Sequence, residues 1–321
     1  MATIYEVAAR AGVSPATVSR VLNGAKVLPA SERAVRAAAD ELDFTPNRTA
    51  RTLRRQNSLV IALLIPDIEN PFFTALARGV EDRARAAGYS VVLCNTDDDT
   101  GREQDYIDIA LSEHMAGVIL APAADDSDLS KLVARHRPVV AVDRSPHGFA
   151  VDAVTVDNHA GGMAAAESLF ASGFHRVACI TGPHSVETAQ LRADGWSDAS
   201  RRRGTTQAEL EELLIHADYR VEGGRIAMNE LLALPEPPDA VVVGNNLMAV
   251  GALQALRDAG HMPPAYGISV FGDLPWATLG PAGIRVIPLP ARALGEAAAD
   301  LLLGRIAGDD GPARTVVLRT E

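Results

Sequence analysis

Pro15, Ala16, Ser19, Arg20 and Asn23 fall on one face of PATVSRVLNG, and Val18, Val21 and Leu22 fall on the other. That spacing predicts a helix with a buried stripe and a small, polar outer face, the shape that fits a DNA major groove. Just upstream, Thr3 and Glu6 have the spacing of a capping box, and Ile4, Val7, Ala8 and Ala11 recur at helical period. Gly12 supplies a turn, Ser14 can cap the next helix, and Pro15 suits its first position. Together they read as a helix-turn-helix. The same pattern also fits an ordinary capped helical hairpin.

Charge favours the first reading. The 321 residues carry a net charge of −11, yet residues 1–57 hold nine Arg/Lys against five Asp/Glu while the remainder sums to −15. A basic head on an acidic body lets only the head approach phosphate. Enzyme motifs are missing: there is no GxGxxG after a strand, no phosphate loop, no GxSxG and no His/Cys cluster at metal spacing. His114, His159, His175 and His184 are scattered. Neither a catalytic function nor a cofactor is expected. Cys94 and Cys179 end apolar runs and read as small buried hydrophobes in a reducing compartment. With no leader-like or membrane-length apolar run, a soluble cytoplasmic protein is expected.

The elements that must position these residues follow from periodicity. A third helix is expected over Ser31–Asp43, capped by Ser31, to close a headpiece. Residues 44–58 are basic and too short to be helical alone; they read as a hinge helix that folds against DNA and a partner copy, or as a basic linker. From Leu59 the chain alternates apolar runs with helical stretches. Strands are expected at 59–65, 90–94, 116–121, 138–142, 153–156, 176–180, 239–243 and 268–271. Continuous apolar strands between helices predict α/β architecture with parallel, doubly wound sheets, and their number predicts two lobes with a ligand cleft beyond the strands' carboxyl ends. The expected divisions are a headpiece at 1–45, a hinge at 46–58 and a two-lobed body at 59–321. Its N-lobe would take about 59–157 and 288–313, and its C-lobe about 158–287 and 314–321.

VAARAGVSPATVSRVLNG, LDFTPNRTARTL, IPDIENPFFTALARGVEDRARAAGYSVVLCNTDDD, VDNHAGG, TAQLRADGW and GNNLMAVGALQAL, in this order, resemble the lactose-repressor/galactose-repressor family along nearly the whole chain. The resemblance implies an all-α helix-turn-helix headpiece, a hinge helix and a two-lobed core like that of periplasmic sugar-binding proteins. The implied partners are double-stranded operator DNA, a small effector (most simply a sugar) and a second copy of the chain. A solute-binding protein without DNA function is the alternative, and the basic headpiece argues against it. No apolar heptad extension follows LRTE, so a dimer rather than a tetramer is expected.

On this resemblance, Arg20 pairs with guanine, while Pro15 and Ala16, lacking side-chain donors, read thymine methyls or shape. Thr17, Ser19 and Asn23 serve phosphate contact and register, and Thr3, Ser14, Asn47 and Arg48 join the DNA-binding set. Leu53 matches a minor-groove wedge, or is merely a packing residue of the hinge, and Ala50 packs against its dimer mate. For the effector, Arg192 matches a contacting arginine. Asp143 and Arg144 end a strand facing the cleft and suit paired hydroxyls, or form an ion pair that holds their loop. Asn245 is a ligand contact or a turn residue. Phe72 or Phe73, and Trp196 or Trp276, stack on a sugar or belong to the core. Thr188 completes the expected set with Asp273, whose loop is one residue shorter than is usual in the family. Leu289 stands where glutamine is frequent, removing a polar partner from the cleft.

Overall fold

The computed structural model describes residues 2–22, 25–44, 58–272 and 283–320. The chain divides into two compact units, Met1–Ser58 and Leu59–Glu321.

In the first unit, helices α1 (Ile4–Ala11), α2 (Pro15–Leu22) and α3 (Pro29–Glu41) surround Val7, Ala8, Val18, Val21, Val35, Ala38 and Ala39. The capping box forms: the Thr3 amide donates to Glu6 Oε2 at 2.6 Å, and the Glu6 amide donates to Thr3 Oγ1 at 3.3 Å. Gly12 ends α1 at φ +66°, a conformation in which a β-carbon is penalised. Ser14 Oγ accepts from the Thr17 amide at 3.2 Å, as its capping position predicts. The third helix differs from expectation. It starts two residues before Ser31, with Leu28 as N-cap and no side-chain cap, because Pro29 fixes its own φ and has no amide hydrogen that needs a partner.

The second unit contains two parallel sheets. The first, in spatial order β11-β5-β4-β3-β1-β2, combines β1 (Val60–Ile65), β2 (Ser90–Asn95), β3 (Gly117–Leu120), β4 (Val139–Val142), β5 (Asp152–Val156) and β11 (Thr315–Leu318). The second, ordered β10-β9-β8-β6-β7, combines β6 (Val177–Thr181), β7 (Leu214–His216), β8 (Ala240–Val243), β9 (Gly267–Phe271) and β10 (Ile284–Ile287). Helices α4 (Pro71–Ala86), α5 (Thr100–Ser112), α6 (Ser130–Ala134) and α12 (Ala291–Ile306) belong with the first sheet. Helices α7 (Asn158–Ala171), α8 (Glu187–Arg202), α9 (Gln207–Leu213), α10 (Val221–Leu232) and α11 (Asn246–Asp258) belong with the second. Central strands such as β3, β4 and β8 are buried throughout, which accounts for their unbroken apolar sequences. No described helix is long and apolar enough to cross a membrane. Both cysteines are free and buried.

One lobe boundary needs correction. Residues 314–321 were expected in the second lobe, but β11 pairs with β5 in the first, Thr315 opposite Ala153 and Leu318 opposite Val156. A charged clasp holds this edge. The Asp152 carboxylate, fully buried, takes Arg305 Nε and Nη2 at 2.7 Å each and the Arg314 amide at 2.8 Å. Arg305 also donates to the carbonyls of Asp309 and Pro312, so one guanidinium organises the whole return loop. The apolar signal was weak because β11 is a short edge strand whose residues are half-buried or exposed.

Burial disfavours the ionised Asp152 carboxyl, but Arg305 and the Arg314 N–H outweigh burial and hold its pKa below the ordinary value. Its stabilisation is therefore present above the unfolded pKa, near 3.8, and lost as pH falls through the lower folded value. Asp152→Asn should lower unfolding free energy by about 2 kcal/mol at neutral pH. Urea unfolding should show this gap at pH 7 and a smaller one at pH 3; an equal gap at both would contradict the clasp's ionic character.

Candidate functional site

On the headpiece, Ser14, Pro15, Ala16 and Arg20 are exposed and Thr17 and Ser19 half-buried, so the expected outer face of α2 is open. Ile4 and Tyr5 face Pro15, Ala16 and Ser19 across a shallow groove. Among the described residues no carboxylate pairs with the exposed Arg20. Thr3 and Ser14 are largely spent on local structure, Thr3 Oγ1 on Glu6 Oε2 at 2.9 Å and Ser14 Oγ on Thr17. Tyr5, 68% exposed, was not singled out from the sequence. Its only signal is an aromatic on the polar side of an otherwise amphipathic helix. Asn23, Asn47, Arg48, Ala50 and Leu53 lie outside the described residues, as do Asp273 and Trp276.

The body holds a cleft enclosing about 560 Å³, part of it open to solvent. It lies beyond the strands' carboxyl ends, where the parallel topology expects a ligand. Phe72, Asp143, Arg144, Thr188, Arg192 and Asn245 all line it, as expected. Asn70 caps α4 by accepting from the Phe72 amide at 3.0 Å, which sets Phe72 and Phe73 edge to face with ring centres 5.0 Å apart.

Asp143 and Arg144 emerge from β4 in a tight turn. Asp143 takes φ +68°, and the Arg144 amide donates to the Val142 carbonyl at 2.8 Å. A positive φ at a non-glycine residue stores strain, and here it turns two charged side chains into the cleft. Both are buried. Burial pushes the Asp143 carboxyl above its ordinary range, against the pull of Arg144 and Arg192. Burial alone would weaken Arg144's charge, but the carboxylates of Asp98 and Asp143 overcome it and raise the pKa. Arg144 Nη1 donates to Asp98 Oδ1 at 2.9 Å and to the Pro122 and Ala123 carbonyls at 2.8 and 3.1 Å. The two readings of this pair are thus compatible: it holds its loop and also lines the cavity.

Arg192 comes from α8 in the opposite lobe. Its Nε donates to Asn158 Oδ1 at 2.8 Å and its Nη1 to the Gly244 carbonyl at 2.6 Å, and its guanidinium lies 4.6 Å from the centre of the Phe271 ring. Glycines make this possible. A β-carbon on Gly162 would collide with the Arg192 backbone, and one on Gly195 with the His159 carbonyl, so α7 and α8 approach closely only with glycine at both places. Asn245 caps α11 through Met248 N–H at 2.8 Å while its Nδ2 donates to the Tyr219 carbonyl at 2.8 Å. It is thus a turn residue that also borders the cavity. Tyr219, with φ +64°, places its hydroxyl 3.2 Å from Thr188 Oγ1, and burial raises its pKa.

Trp196, read from the sequence either as a sugar-stacking ring or as core, belongs to the core and not to the cleft lining. It lies one turn beyond Arg192, wholly buried in the second lobe's core, with Nε1 donating to the Val177 carbonyl at 3.0 Å. The sheet takes its ring, and no edge reaches the cleft. Asp67, Asp98, Asp218, Tyr219, Arg220, Asn246 and Phe271 line the cleft without having been singled out. Several follow strand ends, a signal available once the strands were placed.

Residues 3–47 match the bacterial regulatory proteins of the lacI family, and residues 58–319 match the periplasmic binding proteins and sugar binding domain of the LacI family. The ribose operon repressor of Escherichia coli K12 is 35% identical over 310 residues, covering 95% of this chain and 93% of that protein. The repressor CytR of the same organism is 32% identical, covering 96% and 90%. Among solved structures, the lac repressor dimer bound to operator and the anti-inducer ONPF superposes with a TM-score of 0.85 at 26% identity, covering 98% of this chain and 96% of that one. A complex of the regulator CelR with cellobiose gives 0.74 at 30% identity, covering 100% and 98%. The chain carries both the helix-turn-helix and the two-lobed sugar-binding body, and it belongs to the LacI family of bacterial transcriptional regulators.

Proposed function

We propose that this regulator is a cytoplasmic repressor that grips a palindromic operator as a homodimer and releases or tightens its hold when a sugar occupies the cleft. The convergence of Asp143 and Arg144 from one lobe with Arg192 from the other carries this reading. A carboxylate and two guanidiniums supply acceptors and donors suited to vicinal hydroxyls, and Phe72 offers an apolar face for the C–H surface of a sugar ring. Relatives named ribose operon repressors make D-ribose the first sugar to test.

In the operator complex, Arg20 reads a base edge, with Pro15 and Ala16 against methyl groups. Thr17, Ser19, Asn23, Asn47 and Arg48 set register on phosphates, Leu53 wedges into the minor groove and Ala50 meets its dimer mate. Sugar and operator act on each other through the separation of the two headpieces, so each changes the other's affinity by the same factor.

Operator affinity measured by fluorescence anisotropy should fall linearly on a log–log plot against salt, with a slope set by the phosphates neutralised; a flat plot would exclude phosphate-led binding. Arg192→Ala should weaken D-ribose binding at least about tenfold in calorimetry while leaving sugar-free operator affinity within about twofold. Loss of operator binding by the folded variant would contradict this division of labour. Leu53→Ala should reduce specific binding far more than binding to random duplex; equal losses would show that no wedge acts.

A further inference from the structure

Behind the cleft, one buried acid has no part in the chemistry described so far. Glu103, on the first turn of α5, is 0% exposed. Its Oε2 accepts from the Ala123 amide at 2.8 Å, and its Oε1 is buried with no hydrogen-bond partner among the described residues. A buried carboxyl left half-satisfied is expensive, and burial raises its pKa accordingly. Packing alone does not account for it, since an apolar side chain of similar volume would fill the space at lower cost.

Its contacts lead to the cleft in two steps. The amide of Ala123 is held by Glu103, while the carbonyls of Pro122 and Ala123 receive Arg144 Nη1. Ser127 ties the same loop from its other end by accepting from the Ala124 amide at 3.2 Å. The third acceptor of Nη1, Asp98, belongs to a turn in which Asp97 and Asp98 both take positive φ, at +60° and +55°, just before Asp99 caps α5. Helix α5 therefore sets Arg144 from both sides, through Asp98 ahead of its first turn and Glu103 within it.

We infer that Glu103 is a positioning residue for the sugar site: by fixing the 122–124 loop it holds the Arg144 guanidinium in the orientation that meets the effector. The inference rests on the reading that Arg144 contacts the sugar, but the placement of Arg144 can be tested without one. Arginine-selective labelling of the ligand-free dimer with phenylglyoxal, read by peptide mass spectrometry, reports how well Arg144 is held. In Glu103→Ala, Arg144 should label at least about fivefold faster than in the wild type, because the loop carbonyls are released. Glu103→Gln, which keeps an acceptor for the Ala123 amide, should label at the wild-type rate. If Glu103→Ala does not fold, Ser127→Ala releases the same loop from its other end and should also speed labelling. Wild-type rates in every folded alanine variant would overturn the proposal, and so would a glutamine variant that labels faster than wild type.

D-ribose titrations form a second arm. Glu103→Ala should bind about tenfold more weakly, equivalent to about 1.4 kcal/mol, with recovery in Glu103→Gln and no further loss when added to Arg144→Lys. Additive losses would overturn coupling through Arg144. If the wild type does not bind D-ribose, the choice of sugar fails while the labelling result still decides the role of Glu103.

Discussion

The buried guanidinium of Arg192 draws the second lobe's side of the cleft together. Removing such a charge from water costs several kcal/mol, and the cost is tolerated only where good partners replace the solvent. Here the partners come from separate elements: Asn158 at the start of α7, the Gly244 carbonyl after β8, and the face of Phe271 at the end of β9. One side chain thereby ties two strand-to-helix junctions and the end of β9 to α8. Two of those places, Asn245 and Asn246 after β8 and Phe271 and Gly272 at the end of β9, also line the cavity. The glycine pair at the crossing of α7 and α8 has the same consequence, since any larger residue there would move Arg192 away from Asn158.

The first lobe solves the same problem by a different route. Its charged pair comes from a strained turn at the end of β4, and the strain is held by neighbours on either side. Arg144 spends Nη1 on three oxygens from two loops, while Asp143 keeps its carboxylate 3.8 Å from Arg144 Nε. That separation is too long for a hydrogen bond. The carboxylate thus remains available to a hydroxyl even though it sits beside an arginine. Positive φ at Asp143, Asp97, Asp98 and Tyr219, all at or beside the cavity, shows where the backbone departs from its favoured conformations to bring polar groups inward.

How much of this was readable in the sequence depended on the physical signal behind each feature. Central strands declare themselves because both faces are buried and most positions are apolar. The edge strands β7, β10 and β11 do not, being only partly covered and as short as three residues. The capping box at Thr3 is a local pattern and was found; the start of α3 was misplaced because proline initiated it without a polar cap. Arg192 and Trp196 are one helical turn apart, and only tertiary structure distinguishes them. The first ends at three polar or aromatic neighbours, and the second finds its carbonyl inside the sheet. Glu103 gave no signal, because a buried glutamate on a polar helix reads as a solvated one.

The two lobes keep separate apolar cores, and Leu289 is the one hydrophobic side chain among the described residues that packs on both. What joins the lobes around the cleft is polar: Arg220 to Asp97 at 2.6 Å, the Glu187 amide to Asp125 at 2.9 Å, and the Ser145 amide to the Glu187 carboxylate at 2.9 Å. The exposed Arg220–Asp97 ion pair contributes only about 0–1 kcal/mol, and each amide–carboxylate hydrogen bond about 1.5–3 kcal/mol. A seam of a few polar contacts totals a few kcal/mol, so under the proposed function a ligand bridging Asp143 and Arg144 to Arg192 would supply differential binding energy of comparable size. That is the condition for an effector to shift an equilibrium between two lobe arrangements. An apolar seam would have prevented it by fixing one arrangement regardless of occupancy. Leu289, half-buried, packs on both cores and lines the cavity between them, where an unpaired polar side chain would cost desolvation.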